Sequence, residues 1–404
     1  MARNTEVRAI ALTRSLAAAG FAATALSFGP ARMGFGLFVP EFRDAFGLSS
    51  AAVGGVSGLG FAGFLGGLLA APFLLDRYGP GAPVLTGLAA AVAGLALVAL
   101  APGLPVLAAG VALAASSAGL SWTPFNDPVH RMVEPAARPA VLSRISSGTA
   151  LGIAAAGLVA LGMVGWGIGW RACWAVFALM AVLVLILNWW ALRPVGRART
   201  GRAVAPWRLL RRPEAGALMA TAMVYGTSSG VFIAFAADRF AAGDGPSGLP
   251  GAAIPALVFI VYGLSGLSGL LAGRLEARFG LRRLVRGALL AGALSAAFAG
   301  LLPDRWVGLV AASGLQGVHV MMTSALLAIW SERLFPTLPA SGFTAALLAM
   351  AAGNVLGPVL AGLAAGLLGA GPMFLACAAL PGAAALLMPA VGMGQAARAR
   401  RRPA

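Results

Sequence analysis

The chain contains no lysine, so all 29 of its basic residues are arginine. Acidic residues number 12, and histidine and cysteine two each, in 404 residues. Each scarcity removes a class of protein. Two cysteines cannot build the disulfide framework of a small secreted domain, and Cys173 and Cys377 both fall in apolar stretches where packing accounts for them. Two histidines 189 positions apart, with no His-Glu-x-x-His run and no paired carboxylates within apolar sequence, supply neither a metal-ligand set nor a nucleophile with its base. No Walker-type loop is present to cradle a nucleoside triphosphate. Charged residues make up 10% of the chain, against about 25% in soluble domains. Such a sequence cannot cover a water-facing surface.

Apolar residues are abundant instead, at 60%, with a mean hydropathy of +0.89. They recur in runs of roughly 20 residues, the length that crosses a bilayer as a helix. Breaks at Pro, Gly and charge give twelve spans. They lie at 15–39, 51–75, 83–101, 105–127, 141–163 and 171–192, then at 214–237, 252–273, 285–302, 306–330, 341–367 and 371–390. The expectation is an all-α membrane protein of twelve transmembrane helices, with lipid as its solvent. The N-terminus runs directly into a span long enough to be retained, so no cleaved signal peptide is expected. Glycine, at 56 residues, sits mostly inside the spans, where it lets helix backbones approach closely. Gly54, Gly58 and Gly67 in span 2 and Gly263, Gly266, Gly269 and Gly273 in span 8 are examples.

Arginine placement sets the orientation. The N-terminus, the even-numbered loops and the C-terminal tail hold 24 of the 29. The other side holds Arg43, Arg171, Arg239 and Arg305, and Arg32 lies within a span. The positive-inside rule then puts both termini in the cytoplasm, in a bacterial-type inner membrane. The same distribution accounts for the net charge of +17 without a nucleic-acid partner. Segment 193–213, rich in arginine, reads as a cytoplasmic linker against anionic headgroups. It separates an N-terminal bundle, 1–192, from a C-terminal bundle, 214–404, that ends in a basic tail. Trp166, Trp170 and Trp306 fall at one interface, and Trp189, Trp190 and Trp330 at the other.

A short segment occurs twice. Pro72-Phe73-Leu74-Leu75-Asp76-Arg77-Tyr78-Gly79 returns 201 residues later as Gly273-Arg274-Leu275-Glu276-Ala277-Arg278-Phe279-Gly280, each copy after the second span of its half. With these residues the chain resembles the major facilitator superfamily over essentially its whole length. The family's loop signature, approximately Gly-x-Leu-Ala-Asp-Arg-x-Gly-Arg-Arg, is matched at Leu74, Asp76, Arg77 and Gly79, and again at Gly273, Leu275, Arg278, Gly280, Arg282 and Arg283. Pro72 and Pro80-Gly81 depart from it in the first copy, and Ala277 replaces the aspartate in the second. The stretches Gly29–Gly36 and Trp122–Asp127 are similar to the YbfB/YjiJ-type branch. Gly353-Asn354-Val355-Leu356-Gly357-Pro358 in span 11 looks like an element that the family's antiporters carry in helix 5. Span 5 here lacks the proline, so an antiporter is not implied.

The resemblance implies two pseudo-symmetric six-helix bundles and secondary transport by alternating access, with a small-molecule substrate, no cofactor and a monomer expected. It gives the loop at Asp76, Arg77 and Gly79, with Arg278 and Gly280 in the second copy, a gating role. Polarity supports the arrangement independently. Spans 3, 6, 9 and 12 carry almost no polar side chains, whereas 1, 4, 7 and 10 are rich in them, as helices around a central pathway must be.

Arg32 leads the site candidates, about 10 Å inside the end of span 1 at 1.5 Å per residue. It offers either a planar fork for a substrate carboxylate or phosphate, or one half of a structural ion pair with Glu41, Asp44 or Asp238. Trp122, Tyr225, Gln316 and His319 are the remaining cavity candidates, and interhelical packing is the competing reading of each. Asp127, at the end of span 4, reads as an inner-gate group or as the partner of Arg131 or Arg144. No carboxylate lies at mid-membrane, so proton coupling stays open, with His319, Asp127 or a substrate-borne proton as its means. An anionic solute is the favoured cargo, and export of drugs or metabolites is the alternative.

Overall fold

The computed structural model describes residues 2–196, 215–242 and 250–388. Most of the basic linker and the whole arginine tail lie outside these residues. Among the described residues regular structure is entirely helical, and twelve helices are long and apolar enough to cross a bilayer. They are Ala11–Leu37, Ser50–Tyr78, Gly81–Ala99, Leu104–Met132, Arg138–Gly165 and Trp170–Leu192, then Gly216–Ala241, Gly251–Phe279, Leu281–Leu301, Trp306–Leu334, Ser341–Leu368 and Ala370–Leu387. They are numbered here as spans 1 to 12.

The duplicated segment corrects the sequence reading. It was expected as a loop, but Pro72–Tyr78 continues span 2 as helix, and Ala272–Phe279 is likewise helical. Each helix stops only at a glycine with left-handed backbone, Gly79 (φ 85°) and Gly280 (φ 81°). A residue with a Cβ would be strained at either position.

Three spans are not continuous α-helix. Span 1 contains a π-helical turn, Ser27–Ala31, around Pro30, whose ring removes one backbone donor. Span 4 breaks at the 3₁₀ turn Thr123–Phe125, around Pro124. Span 8 passes through a 3₁₀ segment, Leu267–Leu271.

The described residues fall into two compact units. Among the described residues the first draws on 2–48, 59–196 and 252–263, and the second on 49–58, 215–242, 250–251 and 264–388. Spans 1 and 5 pair closely in the first unit, as spans 7 and 11 do in the second. Spans 3 and 4, and 3 and 6, recur as 9 and 10, and 9 and 12. Glycine makes these crossings possible. A methyl group on Gly29 would overlap the Gly152 carbonyl, and 201 residues on, one at Gly230 would stand 3.1 Å from the Asn354 carbonyl oxygen. A methyl on Gly353 would overlap the Met223 carbonyl, and one on Gly357 would lie 2.6 Å from the Thr227 oxygen. The Gly353–Pro358 element is thus the surface on which span 11 crosses span 7.

Glycine also lies at close approaches between segments distant in sequence within each unit. In the second unit a methyl on Gly362 would stand 2.5 Å from the Ser50 oxygen. In the first, one on Gly263 would stand 2.5 Å from Ala154 N.

Burial follows the polarity pattern in part. Span 7 is 72% buried over its central stretch and spans 6 and 12 only 28%, but spans 3 and 9 are intermediate, at 50% and 44%. Twelve of the sixteen buried polar residues described lie in spans 1, 4, 7 and 10. Trp166, Trp189, Trp190 and Trp306 are exposed, whereas Trp330 is 2% exposed and belongs to the core. Both cysteines are buried and unbonded. Three arginines assigned to the outer side hold backbone carbonyls: Arg43 that of Leu48, Arg171 that of Ala101, and Arg239 those of Ala299 and Gly300.

Candidate substrate site and gate

In the first unit the π-turn determines where Arg32 points. Arg32 opens the helical segment Arg32–Leu37 directly after Ala31, and its own N–H closes back onto the Gly29 carbonyl. It is half-buried. Its guanidinium carbon lies 4.2 Å from the centre of the Phe64 ring, 5.3 Å from Phe61 and 5.4 Å from Phe28. These rings are themselves buried. Trp122, at the break in span 4, meets Phe28 edge-on at 6.1 Å, and Phe28 meets Phe64 likewise at 6.4 Å. Ring faces carry partial negative charge, so they stabilise a cation withdrawn from water by about 0.5–2 kcal/mol each. Arg32 and Trp122 are thus brought together through Phe28. Of the carboxylates weighed as its partner, Glu41 has its Oε2 buried without a hydrogen bond. Phe61 and Phe64 were missed in the sequence because span 2 is apolar throughout and nothing singles them out.

In the second unit Tyr225, Gln316 and His319 lie together, all three buried. His319 is 0% exposed. Its Nδ1 donates to the Ala288 carbonyl at 2.7 Å, leaving Nε2, 3.1 Å from Ser228 Oγ, to accept. Tyr225 packs edge-on against its ring at 5.5 Å. The imidazole fills the slot left by Gly292, where a methyl group would come within 2.8 Å of it. Gln316 is also buried, its Oε1 3.2 Å from Ser295 Oγ, which donates to the Ala312 carbonyl at 2.7 Å. A hydroxyl has one proton, so turning the amide over lets Gln316 Nε2 donate to Ser295 instead. Both side chains therefore turn toward span 9. Their polarity correctly marked burial but did not give direction, because Gly292 and Ser295 offer the partners.

The two copies of the repeated segment share a design. Arg77 stacks on Tyr78, with Nε donating to its hydroxyl at 3.0 Å. Arg278 stacks on Phe279 at 5.4 Å. Each is exposed and followed by its left-handed glycine. Asp76 is exposed as well. In the second copy Glu276, one position before Ala277, pairs with Arg333 at 2.6 Å, an ion pair the motif alone did not reveal. Asp127 pairs with Arg131 at 2.9 Å, and Arg131 also reaches the Gly196 carbonyl at 2.6 Å. That is the helix-end pairing weighed for it above.

Twelve long apolar helices packed as two similar sets define a polytopic membrane protein. The sequence matches the Major Facilitator Superfamily over residues 19–263, more than half its length, and the chain belongs to that superfamily. It is a transporter and not an enzyme. No curated protein sequence matches it. The fold is similar to that of a point variant of the nucleoside transporter NupG, with a TM-score of 0.74 at 14% identity, covering 93% of this chain and 98% of that one. It is also similar to a bacterial homologue of the human lysosomal transporter Spinster, with a TM-score of 0.71 at 18% identity, covering 97% and 99%. At these identities the likeness extends to the fold alone.

Proposed function

We propose that the protein is a secondary transporter of a small organic anion, working by alternating access between the bundles 1–192 and 214–404 as a monomer. The observation that carries this reading is the Arg32 guanidinium seated among Phe28, Phe61 and Phe64. A carboxylate or phosphate approaching the fork would meet two parallel N–H donors, and the rings and Trp122 would take an apolar body. The helix end at Asp76–Gly79 in the first unit and that at Arg278–Gly280 in the second each carry a gating role, the latter tied to span 10 by Glu276–Arg333. Gln316, His319 and Tyr225 hold span 10 in place and do not touch substrate. The arginine asymmetry supports a bacterial-type inner membrane with both termini cytoplasmic. The stretches Gly29–Gly36 and Trp122–Asp127 support membership of the YbfB/YjiJ-type branch.

The aromatic wall favours a second reading, export of amphipathic drugs or metabolites. Thermal-shift screening of the purified protein with small carboxylates, nucleosides, sugars and amphipathic cations separates the two, followed by flux in oriented vesicles. A stabilising carboxylate whose flux is abolished in Arg32→Ala supports anion transport. Unchanged kinetics in that variant would sink it.

A further inference from the structure

The short helix Val39–Phe46 follows span 1 and is not part of any membrane span. It starts beside Pro40 and ends at the left-handed Gly47. Phe42, 0% exposed, anchors it. Its ring stacks on Phe35 at 5.5 Å, meets Trp170 edge-on at 5.0 Å and lies 5.9 Å from Trp174. Phe38 joins the same cluster against Trp174 and Phe177. Glu41 is next in sequence to this anchor and lies within electrostatic reach of Cys173, between Trp170 and Trp174 in span 6.

Glu41 Oε2 is buried with no hydrogen-bond partner. The titratable groups in electrostatic contact with it are Asp44 on its own helix and Cys173 on span 6, and the arginines of the two elements are engaged elsewhere. Arg43 donates to the Leu48 carbonyl. Arg171 donates to Ala101 and lies over Trp170. Asp44 adds a like charge, and Cys173 lies within electrostatic reach. An ionised carboxylate held only by its own backbone N–H in such surroundings is costly, and a protonated one is not.

We propose that Glu41 is a proton-binding site, taking up one proton from water as helix Val39–Phe46 docks on the rings of span 6 and releasing it as the helix lifts away. The proton adds to one carboxylate oxygen, and no other bond changes. Burial, with Asp44 adding to it, raises this carboxyl from the ordinary 4.5 to about 7 against the lowering effect of its backbone hydrogen bond. The sign follows from the raised value. The docked form is favoured fully below about 4.5, its advantage declines as pH rises, and it is lost above about 7. Given the orientation proposed above, the site faces the outside, where acidification would close the helix down. It stands independently of the substrate assigned to Arg32.

The test is infrared difference spectroscopy of the purified full chain between acid and neutral pH, read beside tryptophan emission from Trp170 and Trp174. The expected result is a protonated-carboxyl band that titrates with a midpoint near 7, in step with the emission, and that vanishes in Glu41→Gln. Asp44→Asn should move the midpoint to lower pH. A wild-type carboxyl midpoint near the ordinary value, or a transition that survives in Glu41→Gln, would overturn the proposal. The wild-type midpoint alone decides it if a variant fails to fold.

Discussion

The guanidinium carbon of Arg32 lies 4.2 Å from the centre of the Phe64 ring, although one residue closes a π-turn in span 1 and the other sits in mid-span 2. Of the three rings around the guanidinium, that of Phe64 is the nearest. Phe64→Leu keeps the bulk and removes the π face. Affinity for a transported carboxylate should fall about fivefold, the equivalent of about 1 kcal/mol of cation–π attraction. Isothermal titration of the variant checks this, and an unchanged Kd would remove the ring from the site. Arg32→Lys should bind more weakly still, since a point charge cannot form the bidentate pair.

Helix crossing at spans 7 and 11 gives a second expectation. Gly226→Ala and Gly353→Ala force a methyl group onto the carbonyls of Met350 and Met223. Each should cost about 1–3 kcal/mol, as overpacking does, and lower the melting temperature in detergent. Gly273→Ala and Gly366→Ala, where the added methyl meets open space, should leave it unchanged. Equal behaviour of the two pairs would refute the crossing as described.

His319 is expected to behave as a structural residue. Ser228→Ala removes the hydroxyl facing Nε2 and should cost about 1–3 kcal/mol, the range for an orphaned buried polar atom. Substrate KM should stay at the wild-type value. Flux measurements showing a raised KM without loss of thermal stability would return His319 to the transport pathway.

The Asp127–Arg131 pair is four residues apart on one helix, with side chains 11% and 28% exposed. Pairs of this kind contribute less than about 1 kcal/mol. Asp127→Asn should therefore leave the melting temperature within a degree or two and flux within about twofold. A tenfold loss of flux would make Asp127 part of the inner gate.

The membrane spans were legible because lipid imposes a length and a composition on every helix that crosses it. Arg32 was legible for the same reason, as a charge where charge is costly. What surrounds it was not, because Phe61 and Phe64 look like any other apolar residues until span 2 is placed. His319 and Gln316 announced burial by their polarity, but only Gly292 and Ser295, more than 20 residues away in sequence, decide which way they turn. Glu41 passed as one of three partners for Arg32. The clue lay in Phe38-Val39-Pro40-Glu41-Phe42, a carboxylate enclosed by apolar neighbours.

The π-turn at Ser27–Ala31 carries a consequence for how this transporter tolerates deletions. One residue turns an α-helix by about 100°, so the extra residue held in the π-turn sets the rotational phase of everything after it. Deleting one residue between Ser27 and Ala31 would restore a regular helix and swing Arg32 off its aromatic seat, with the composition of the span almost unchanged. A hydropathy profile would register nothing, yet the charge would point at a different neighbour.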